Sequence, residues 1–335
     1  MIDTMKIAIV GAGVAGSYLA FMLSREHTVD VFEKKALENL SKDCAWGTSL
    51  RMLQKYAPLI GRNPSDYLKF VGKSFVSKGI INRDTVTFNK HQFFQDLLNS
   101  SDALVYYKYK VSTDDLSEYD LIIDATGSAR SLLPPPENGL KDRWVCPCYQ
   151  LDVRSDDLPK DFFFEPRGIG YLWVFPQGNG VYKVGCGSFD LNPRKEVEKY
   201  LSGMNYEVVD KVGAGVRLIP PSRSRPLYSL GEPPIIGVGE AIGTVSMVSG
   251  EGIYPSLICA DHLIESLKEK SIEQAAVVYE SKVLKEFKWM DSQFDFIYSV
   301  RYGNYLSQVW NLLSLEIPDY ACGTVSKIKM IIYNR

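Results

Sequence analysis

The feature that most constrains this chain is a glycine-rich turn directly after its first apolar run. Residues 6–10 read Lys-Ile-Ala-Ile-Val and predict a short buried strand. Gly11, Gly13 and Gly16 follow in the spacing GxGxxG, and residues 17–25 then form a helix-favouring run. Strand, glycine turn and helix in this order are typical of a parallel βαβ unit with a ligand-binding turn.

The second half of this unit indicates which ligand the turn binds. Gly11 permits the tight turn, Gly13 lets the backbone approach a pyrophosphate, and Gly16 allows the helix to pack on the strand. The helix N-terminus adds N–H groups and a positive dipole. A second strand ends at Glu33, 22 residues after Gly11, where a carboxylate can bind a ribose. A glycine-rich turn in an ordinary βαβ unit would not explain why the three glycines and Glu33 all stand at these spacings. The predicted dinucleotide-binding residues here are Gly11, Gly13, Val14, Ala15, Gly16, Glu33 and Lys34.

Bulk properties exclude several classes of protein. The chain has 335 residues, of which 45% are hydrophobic, enough for a large core. A net charge of −2 and the lack of a long basic run predict no nucleic-acid partner. No segment approaches the roughly 20 apolar residues of a membrane span. The first strand begins too early for a secretory signal, so we expect a cytoplasmic protein with reduced thiols.

The pattern of predicted elements divides the chain into three parts. Short strands follow one another without intervening helices at residues 148–153, 162–166, 171–175 and 181–188, which predicts a mostly antiparallel sheet. Residues 272–315 read as helices rich in aromatic residues. We therefore predict an α/β protein with a discontinuous nucleotide-binding domain (1–140 and 215–268), an inserted sheet domain (141–214) and a C-terminal helical region (269–335).

Two later turns extend the prediction from a dinucleotide to FAD. A buried strand over residues 120–124 leads into Ala125, Thr126 and Gly127, which resemble the ATG turn of flavoprotein reductases and hydroxylases. A strand over residues 235–238 leads into Gly239 and Glu240. In flavoproteins an acid there, more often Asp, binds the ribityl chain. Either motif alone also fits an ordinary strand end, but their order around the insertion favours FAD.

Lys90 is a further candidate for binding the cofactor. It opens a predicted helix over residues 90–98, in the layout where the flavoproteins that share the ATG turn usually offer an Arg. Lys supplies charge to a phosphate without the planar fork of Arg. The alternative is a solvated lysine at the start of a helix.

Four further segments follow the landmarks of one flavoprotein family. Residues 170–176 contain YxWxFP, residues 183–187 read Lys-Val-Gly-Cys-Gly, and residues 249–253 read Ser-Gly-Glu-Gly-Ile. Cys44 lies after the ribose-binding acid. In these features the chain resembles the geranylgeranyl reductase family of FAD-dependent oxidoreductases, in the para-hydroxybenzoate-hydroxylase-like superfamily. The resemblance implies a Rossmann-like FAD-binding domain with an inserted, mostly antiparallel β-sheet substrate domain.

The YxWxFP segment supplies candidate substrate contacts. Because side chains alternate along a strand, Tyr171, Trp173 and Phe175 share one face. Three aromatic rings on one face suit a groove for a long hydrocarbon, although they could also fill the core. Residues 44–47 read Cys-Ala-Trp-Gly where the family that this chain resembles commonly has a Cys-Gly pair, so the bulky Trp46 changes the local shape. We include Trp46 among the predicted substrate-binding residues.

The resemblance also implies a reaction, in which reduced FAD gives a hydride to a carbon–carbon double bond of a prenyl chain and a proton completes saturation. An isolated alkene is a poor hydride acceptor, so we expect a proton donor and a dry pocket. Gly250, Gly252 and Ile253 are predicted to approach the flavin. Cys44 is the catalytic candidate by analogy with the family; its alternative role is a small buried residue.

Partners and rival functions complete the predictions. The expected substrate is a prenyl lipid or a prenyl-quinone tail, and the electron donor is NAD(P)H or a ferredoxin-like protein. The basic, apolar residues 327–332 suggest peripheral membrane contact in lipid biosynthesis. The alternatives are an aromatic hydroxylase of the same fold and a non-catalytic FAD-bound lipid or electron-transfer protein. Cys146 and Cys148 do not complete a zinc ligand set, so no metal is predicted.

Overall fold

The structure is a computed structural model that describes residues 4–76, 79–137, 144–269, 271–303 and 305–316. Its strands, in chain order, are β1 (Lys6–Val10), β2 (Thr28–Glu33), β3 (Gly47–Ser49), β4 (Leu68–Val76), β5 (Gly79–Phe88), β6 (Leu104–Tyr107), β7 (Leu121–Asp124), β8 (Val145–Arg154), β9 (Phe162–Pro166), β10 (Gly170–Pro176), β11 (Val181–Ser188), β12 (Glu207–Arg217), β13 (Tyr228–Ser229) and β14 (Ile235–Gly237). Its α-helices are α1 (Val14–Leu23), α2 (Leu50–Tyr56), α3 (Lys90–Asn99), α4 (Pro193–Leu201), α5 (Ile253–Ser266), α6 (Ile272–Glu286), α7 (Trp289–Tyr302) and α8 (Tyr305–Leu313).

The first sheet carries the glycine turn. Its order is β13-β14-β7-β1-β2-β6, and every pairing is parallel except that of β13 with β14. β1 lies at its centre, and four of its five residues are buried, because a parallel sheet has helices on its faces. The carboxyl ends of β1, β2, β7 and β14 therefore meet along one edge, where ligands bind in open α/β sheets.

The second sheet has the order β12-β8-β11-β10-β9-β4-β5-β3 and is antiparallel except where β4 pairs with β9. The predicted α/β class with an antiparallel insertion is confirmed. β3, β4 and β5 come from the range 1–140, however, and they pair with the insertion through β9. The domain boundaries at residues 140, 214 and 268 are not tested by this pairing and stay a prediction.

α4 and β12 are among the elements that the sequence did not predict. α4 begins with Asn192 as its N-cap and Pro193 in its first turn, a start signal that could have identified it. β12 lies at the edge of the second sheet, and its first five residues are exposed, so it lacks the apolar pattern of a buried strand. The predicted C-terminal helices are present as α6, α7 and α8, whereas residues 327–332 lie outside the described residues. No helix within the described ranges has the length and apolar character to cross a bilayer.

Candidate functional site

A cavity of about 910 Å³ runs from the carboxyl edge of the first sheet to one face of the second. Its volume is near the upper end of the range for cofactor and ligand sites. Eighteen of the 21 predicted site residues line it: Gly11, Gly13, Val14, Ala15, Glu33, Lys34, Cys44, Lys90, Ala125, Thr126, Gly127, Tyr171, Trp173, Phe175, Glu240, Gly250, Gly252 and Ile253. Gly16, Gly239 and Trp46 are not part of this wall among the described residues.

The glycine turn has the geometry of a phosphate cradle. Gly11 has φ +105°, and a Cβ there would lie 2.4 Å from the carbonyl oxygen of Ala125. Gly16 acts behind the cavity, because a Cβ there would lie 1.8 Å from the carbonyl oxygen of Gly11. At Gly13, by contrast, a Cβ would meet no described atom within 4 Å. The turn is therefore packed tightly against the protein and left open toward the cavity.

Glu33 is placed as the sequence predicted, at the end of β2. Its Oε2 accepts a hydrogen bond from the backbone N–H of Ala12 at 2.9 Å, and its Oε1 accepts one from Lys35 N–H at 2.7 Å. Each carboxylate oxygen has a second lone pair with which it can accept a further bond. These backbone bonds fix the carboxylate at the cavity wall, where a ribose hydroxyl can reach it.

The turn after β7 and the turn after β14 lie in contact with each other, beside the glycine turn. Asp124 is fully buried and accepts bonds from the N–H groups of Thr126, Leu132 and Leu133, which fixes the turn after β7. A Cβ at Gly127 would lie 3.5 Å from Oε2 of Glu240, so the ATG turn touches the acid that follows β14. The contact joins two motifs that are more than 100 residues apart in the chain.

Glu240 is held by the backbone and by nearby positive charge. Its Oε1 accepts a hydrogen bond from Arg217 N–H at 2.8 Å. Burial raises the pKa of its carboxyl, while that hydrogen bond and the charges of Lys90 and Arg217 act in the opposite direction. Gly239 lies behind it, packed against Ser256 rather than at the wall. Lys90 and Lys34 do line the cavity and offer positive charge to phosphates.

These residues fit FAD on the geometry of this chain alone. The pyrophosphate of FAD would find partners in the open cradle at Gly13 and in the cations Lys34 and Lys90. The fixed carboxylates of Glu33 and Glu240 would bind its ribose and its ribityl chain. When bound and reduced, FAD supplies an electron pair as hydride.

The far wall of the cavity is aromatic. Tyr171, Trp173 and Phe175 lie on one face of β10, while Leu172 and Val174 are buried on the other, as the alternation predicted. The rings of Tyr171 and Trp173 are 5.8 Å apart, and Phe164 of β9 lies 5.7 Å from Tyr171 and 5.2 Å from Phe175. Among the described residues, the indole N–H of Trp173 has no hydrogen-bond partner. The wall that these rings form is apolar, and the indole N–H is buried.

Trp46 packs against two lysines, and its role in substrate binding stays a prediction. Its indole N–H donates to the carbonyl oxygen of Ser41 at 2.8 Å, and its ring lies against Lys183 (4.4 Å) and Lys69 (5.2 Å). The side chain is held there by cation–π and hydrogen-bond contacts. The bulk at position 46 therefore packs against lysines, and Trp46 is not among the described residues that line the cavity.

Three cysteines lie at the cavity. Cys44, the predicted catalytic candidate, is half-buried at the wall, and its sulfur accepts a weak hydrogen bond from Trp46 N–H at 3.4 Å. Cys146 and Cys148, for which the sequence predicted no metal site, also line the cavity. A hydrogen bond with Cys146 and burial raise the pKa of the Cys148 thiol well above its usual range. It is therefore a poor nucleophile.

Glu251 is the residue that sequence reasoning missed. Its Oε1 accepts bonds from Tyr254 N–H at 2.9 Å and from Thr48 Oγ1 at 3.1 Å, and it lines the cavity. Burial of the carboxyl raises its pKa to about 7. An acidic residue between two glycines at the start of a helix was a visible signal, but only the fold shows that it faces a ligand cavity.

Comparisons with known proteins agree with this geometry. No protein-family model matches the chain. Digeranylgeranylglycerophospholipid reductase 1 of Methanopyrus kandleri is 23% identical over 334 residues, covering 84% of this chain and 86% of the relative. Geranylgeranyl diphosphate reductase of Synechocystis is 29% identical over 151 residues, covering 44% of this chain and 34% of the relative.

Solved structures share the fold. A geranylgeranyl bacteriochlorophyll reductase-like protein from Thermoplasma acidophilum superposes with a TM-score of 0.73 at 18% identity, covering 99% of this chain and 97% of that one. A probable FAD-dependent monooxygenase from Pseudomonas aeruginosa has a TM-score of 0.60 at 12% identity, covering 92% and 99%. The chain is thus similar in sequence to proteins named geranylgeranyl reductases and shares the fold of FAD-dependent oxidoreductases, as its motifs predicted.

Proposed function

We propose that this protein saturates carbon–carbon double bonds in the prenyl chain of a lipid or a prenyl-quinone. The observation that carries the proposal is one cavity with two unlike ends. One end is the cradle of Gly11, Gly13 and Glu33, and the other is the aromatic face of Tyr171 and Trp173. A hydrocarbon bound to the aromatic face would lie in the same cavity as the cofactor.

The shape of the wall supports a chain-like rather than a compact substrate. The rings of β9 and β10 form a continuous apolar surface of Phe164, Tyr171, Trp173 and Phe175. Such a surface excludes water, which disfavours loss of the hydride to side reactions. The names of the relatives from Methanopyrus kandleri and Synechocystis point to the same substrate class.

The proposal also covers the electron donor, the place in the cell and the role of Cys44. The electron donor is NAD(P)H or a ferredoxin-like protein, and the protein works in the cytoplasm or at the membrane surface, where its substrate resides. Cys44, at the wall, is proposed to contact the reacting part of the chain.

Product analysis under anaerobic conditions tests the proposal. The purified protein, loaded with FAD and reduced with dithionite, is incubated with a digeranylgeranyl glycerophospholipid, and the lipid is examined by mass spectrometry. The expected product gains two hydrogen atoms for each bond saturated. An unchanged lipid would contradict the proposal.

The fold shared with a probable FAD-dependent monooxygenase favours hydroxylation of an aromatic compound as the second candidate. That function would require NAD(P)H and O₂ and would add an oxygen atom to a phenol. A FAD-bound protein that changes neither compound would instead be a carrier or an electron-transfer partner.

A further inference from the structure

Glu251 lies at the junction between the two ends of the cavity. It precedes α5, whose Tyr254 N–H bonds its Oε1, and it contacts β3 through the Thr48 hydroxyl. Its own backbone is fixed as well, since its carbonyl oxygen accepts from Ser246 N–H at 2.9 Å and its N–H donates to Ser249 Oγ at 3.3 Å. The carboxyl is thus held in one position.

The same loop is fastened to the aromatic wall. The Tyr171 hydroxyl donates to the carbonyl oxygen of Ser249 at 2.6 Å. On the other side, a Cβ at Gly47 would lie 2.3 Å from the ring of Phe175, so β3 packs directly on β10. Glu251 is therefore bracketed by β3 and by a loop, both of which touch β10.

The charged and titratable groups around Glu251 leave its proton available near neutral pH. Lys90 of α3 favours the ionised carboxylate, as do the bonds from Thr48 and Tyr254, but burial outweighs them and raises the pKa to about 7. β10 contributes the Tyr171 phenol, and Cys44 precedes β3 at the same wall. A carboxylic acid with such a pKa is matched to general acid catalysis at neutral pH.

We propose that Glu251 is the catalytic acid that delivers the proton to the alkene, an inference that rests on the proposed reductase function. As the π bond breaks, one carbon takes the proton from the Glu251 carboxyl and the other takes the hydride from reduced FAD. Glu251 is left as a carboxylate and regains a proton from water before the next turnover. Two hydrogens are added, and the two electrons come from the reduced cofactor.

Other acids at the wall are less suited to this role. The Tyr171 hydroxyl already donates to Ser249, and the raised pKa of Cys148 makes its thiol a weaker acid than Glu251. Glu240 is engaged by Arg217 N–H beside the ATG turn, at the cofactor end.

The test combines a titration with single-turnover kinetics. In protein labelled with ¹³C at the Glu carboxyl, one NMR resonance should titrate near pH 7 and vanish in Glu251→Gln. With reduced, FAD-loaded protein and a digeranylgeranyl lipid, Glu251→Gln should slow saturation by about 10²-fold or more. Gln keeps an oxygen to accept the Thr48 and Tyr254 bonds, so flavin uptake and its reduction by dithionite should not change.

Two further variants separate proton donation from a merely structural role. Glu251→Asp should recover part of the rate. Thr48→Val removes a bond that favours the ionised form, so the pH at which saturation falls should move upward. The matched control is Glu265→Gln on the exposed side of α5, where Glu265 only pairs with Lys282 at 3.1 Å.

The outcomes are distinguishable. If Glu251→Gln saturates the lipid at the wild-type rate with the wild-type pH profile, the role of Glu251 is overturned and the reductase function stands. If the wild-type protein leaves the lipid unchanged, both proposals fall. If no resonance titrates near pH 7, Glu251 is not the neutral-pH acid.

Discussion

The two ends of the cavity are built by different means. The cofactor end consists of backbone at the carboxyl ends of parallel strands, where glycines and two fixed carboxylates make the surface. The aromatic end consists of side chains from β9, β10 and the loop before α5, brought together by pairing across the second sheet. Atoms added at the first end are therefore expected to disturb its packing or its flavin binding, whereas the second end is expected to tolerate changes that keep its apolar shape.

The largest expected effect is at Gly16. A valine there would place Cβ 1.8 Å from the carbonyl oxygen of Gly11, and backbone cannot move aside as a flexible side chain can. We expect Gly16→Val to lose at least about 3 kcal/mol of stability and all flavin uptake. Urea unfolding and flavin absorbance measure the two effects.

Gly13→Ala is the matched variant at the same turn. Its methyl group meets no described atom within 4 Å, so the protein should keep its stability while flavin affinity falls, because the methyl group projects where a pyrophosphate would lie. Equal loss of stability in both variants would contradict the distinction between a packed and an open glycine.

The next largest effect is the dependence of the protein's stability on pH that Glu251 causes. Its pKa is raised from 4.5 to about 7 in the folded protein, so the stability present at low pH is lost as the pH rises through 7. At about 1.4 kcal/mol per pKa unit the loss is at most about 3.5 kcal/mol. Glu251→Gln should therefore gain stability over wild type between about pH 5 and about pH 8.

Urea unfolding of the two proteins at several pH values checks this expectation. Glu265→Gln, on the exposed side of α5, serves as the control and should follow the wild-type curve. A constant difference between wild type and Glu251→Gln across the pH range would show that the carboxyl does not titrate there.

A smaller effect is expected at the aromatic wall. Trp173→Ala removes a ring that lies 5.8 Å from that of Tyr171, and kcat/KM for a prenyl lipid should fall by about 10- to 100-fold, or about 1.4–3 kcal/mol. Trp173→Phe keeps an aromatic, apolar ring but loses the five-membered part of the indole with its N–H, so it should retain most of the activity. Flavin uptake should be normal in both variants.

The exposed Trp310 on α8 provides the control for this substitution. Trp310→Ala should leave lipid saturation unchanged. If Trp173→Ala does the same, the aromatic face is core packing and the substrate lies elsewhere.

The smallest effect is expected at Trp46. Trp46→Phe loses the bond to Ser41 and weakens the contact with Lys183, at a cost of about 1 kcal/mol in stability. Lipid saturation should not change, because Trp46 is not among the described residues that line the cavity. A tenfold change in KM would instead support the predicted role of Trp46 in substrate binding.

The contrast between the two ends also explains what the sequence could predict. Gly11, Gly13, Glu33, Ala125 and Glu240 follow strands at fixed spacings, so local pattern alone is enough to place them at one sheet edge. The alternation of β10 likewise puts Tyr171, Trp173 and Phe175 on one face.

What local pattern could not supply was contact between distant segments. The pairing of β4 with β9 brings β3 and Thr48 to the cavity, and nothing near residue 48 signals it. The role of Glu251 depends on that contact, and the position of Trp46 depends on Lys183, more than 130 residues away.

The most direct test of the proposed reaction is a single turnover without oxygen. FAD-loaded protein, reduced with one equivalent of dithionite, is mixed with a digeranylgeranyl lipid while flavin absorbance and lipid mass are followed together. We expect the absorbance of oxidised flavin to return in step with the saturation of one double bond per flavin. A flavin that stays reduced while the lipid stays unsaturated would contradict the reaction.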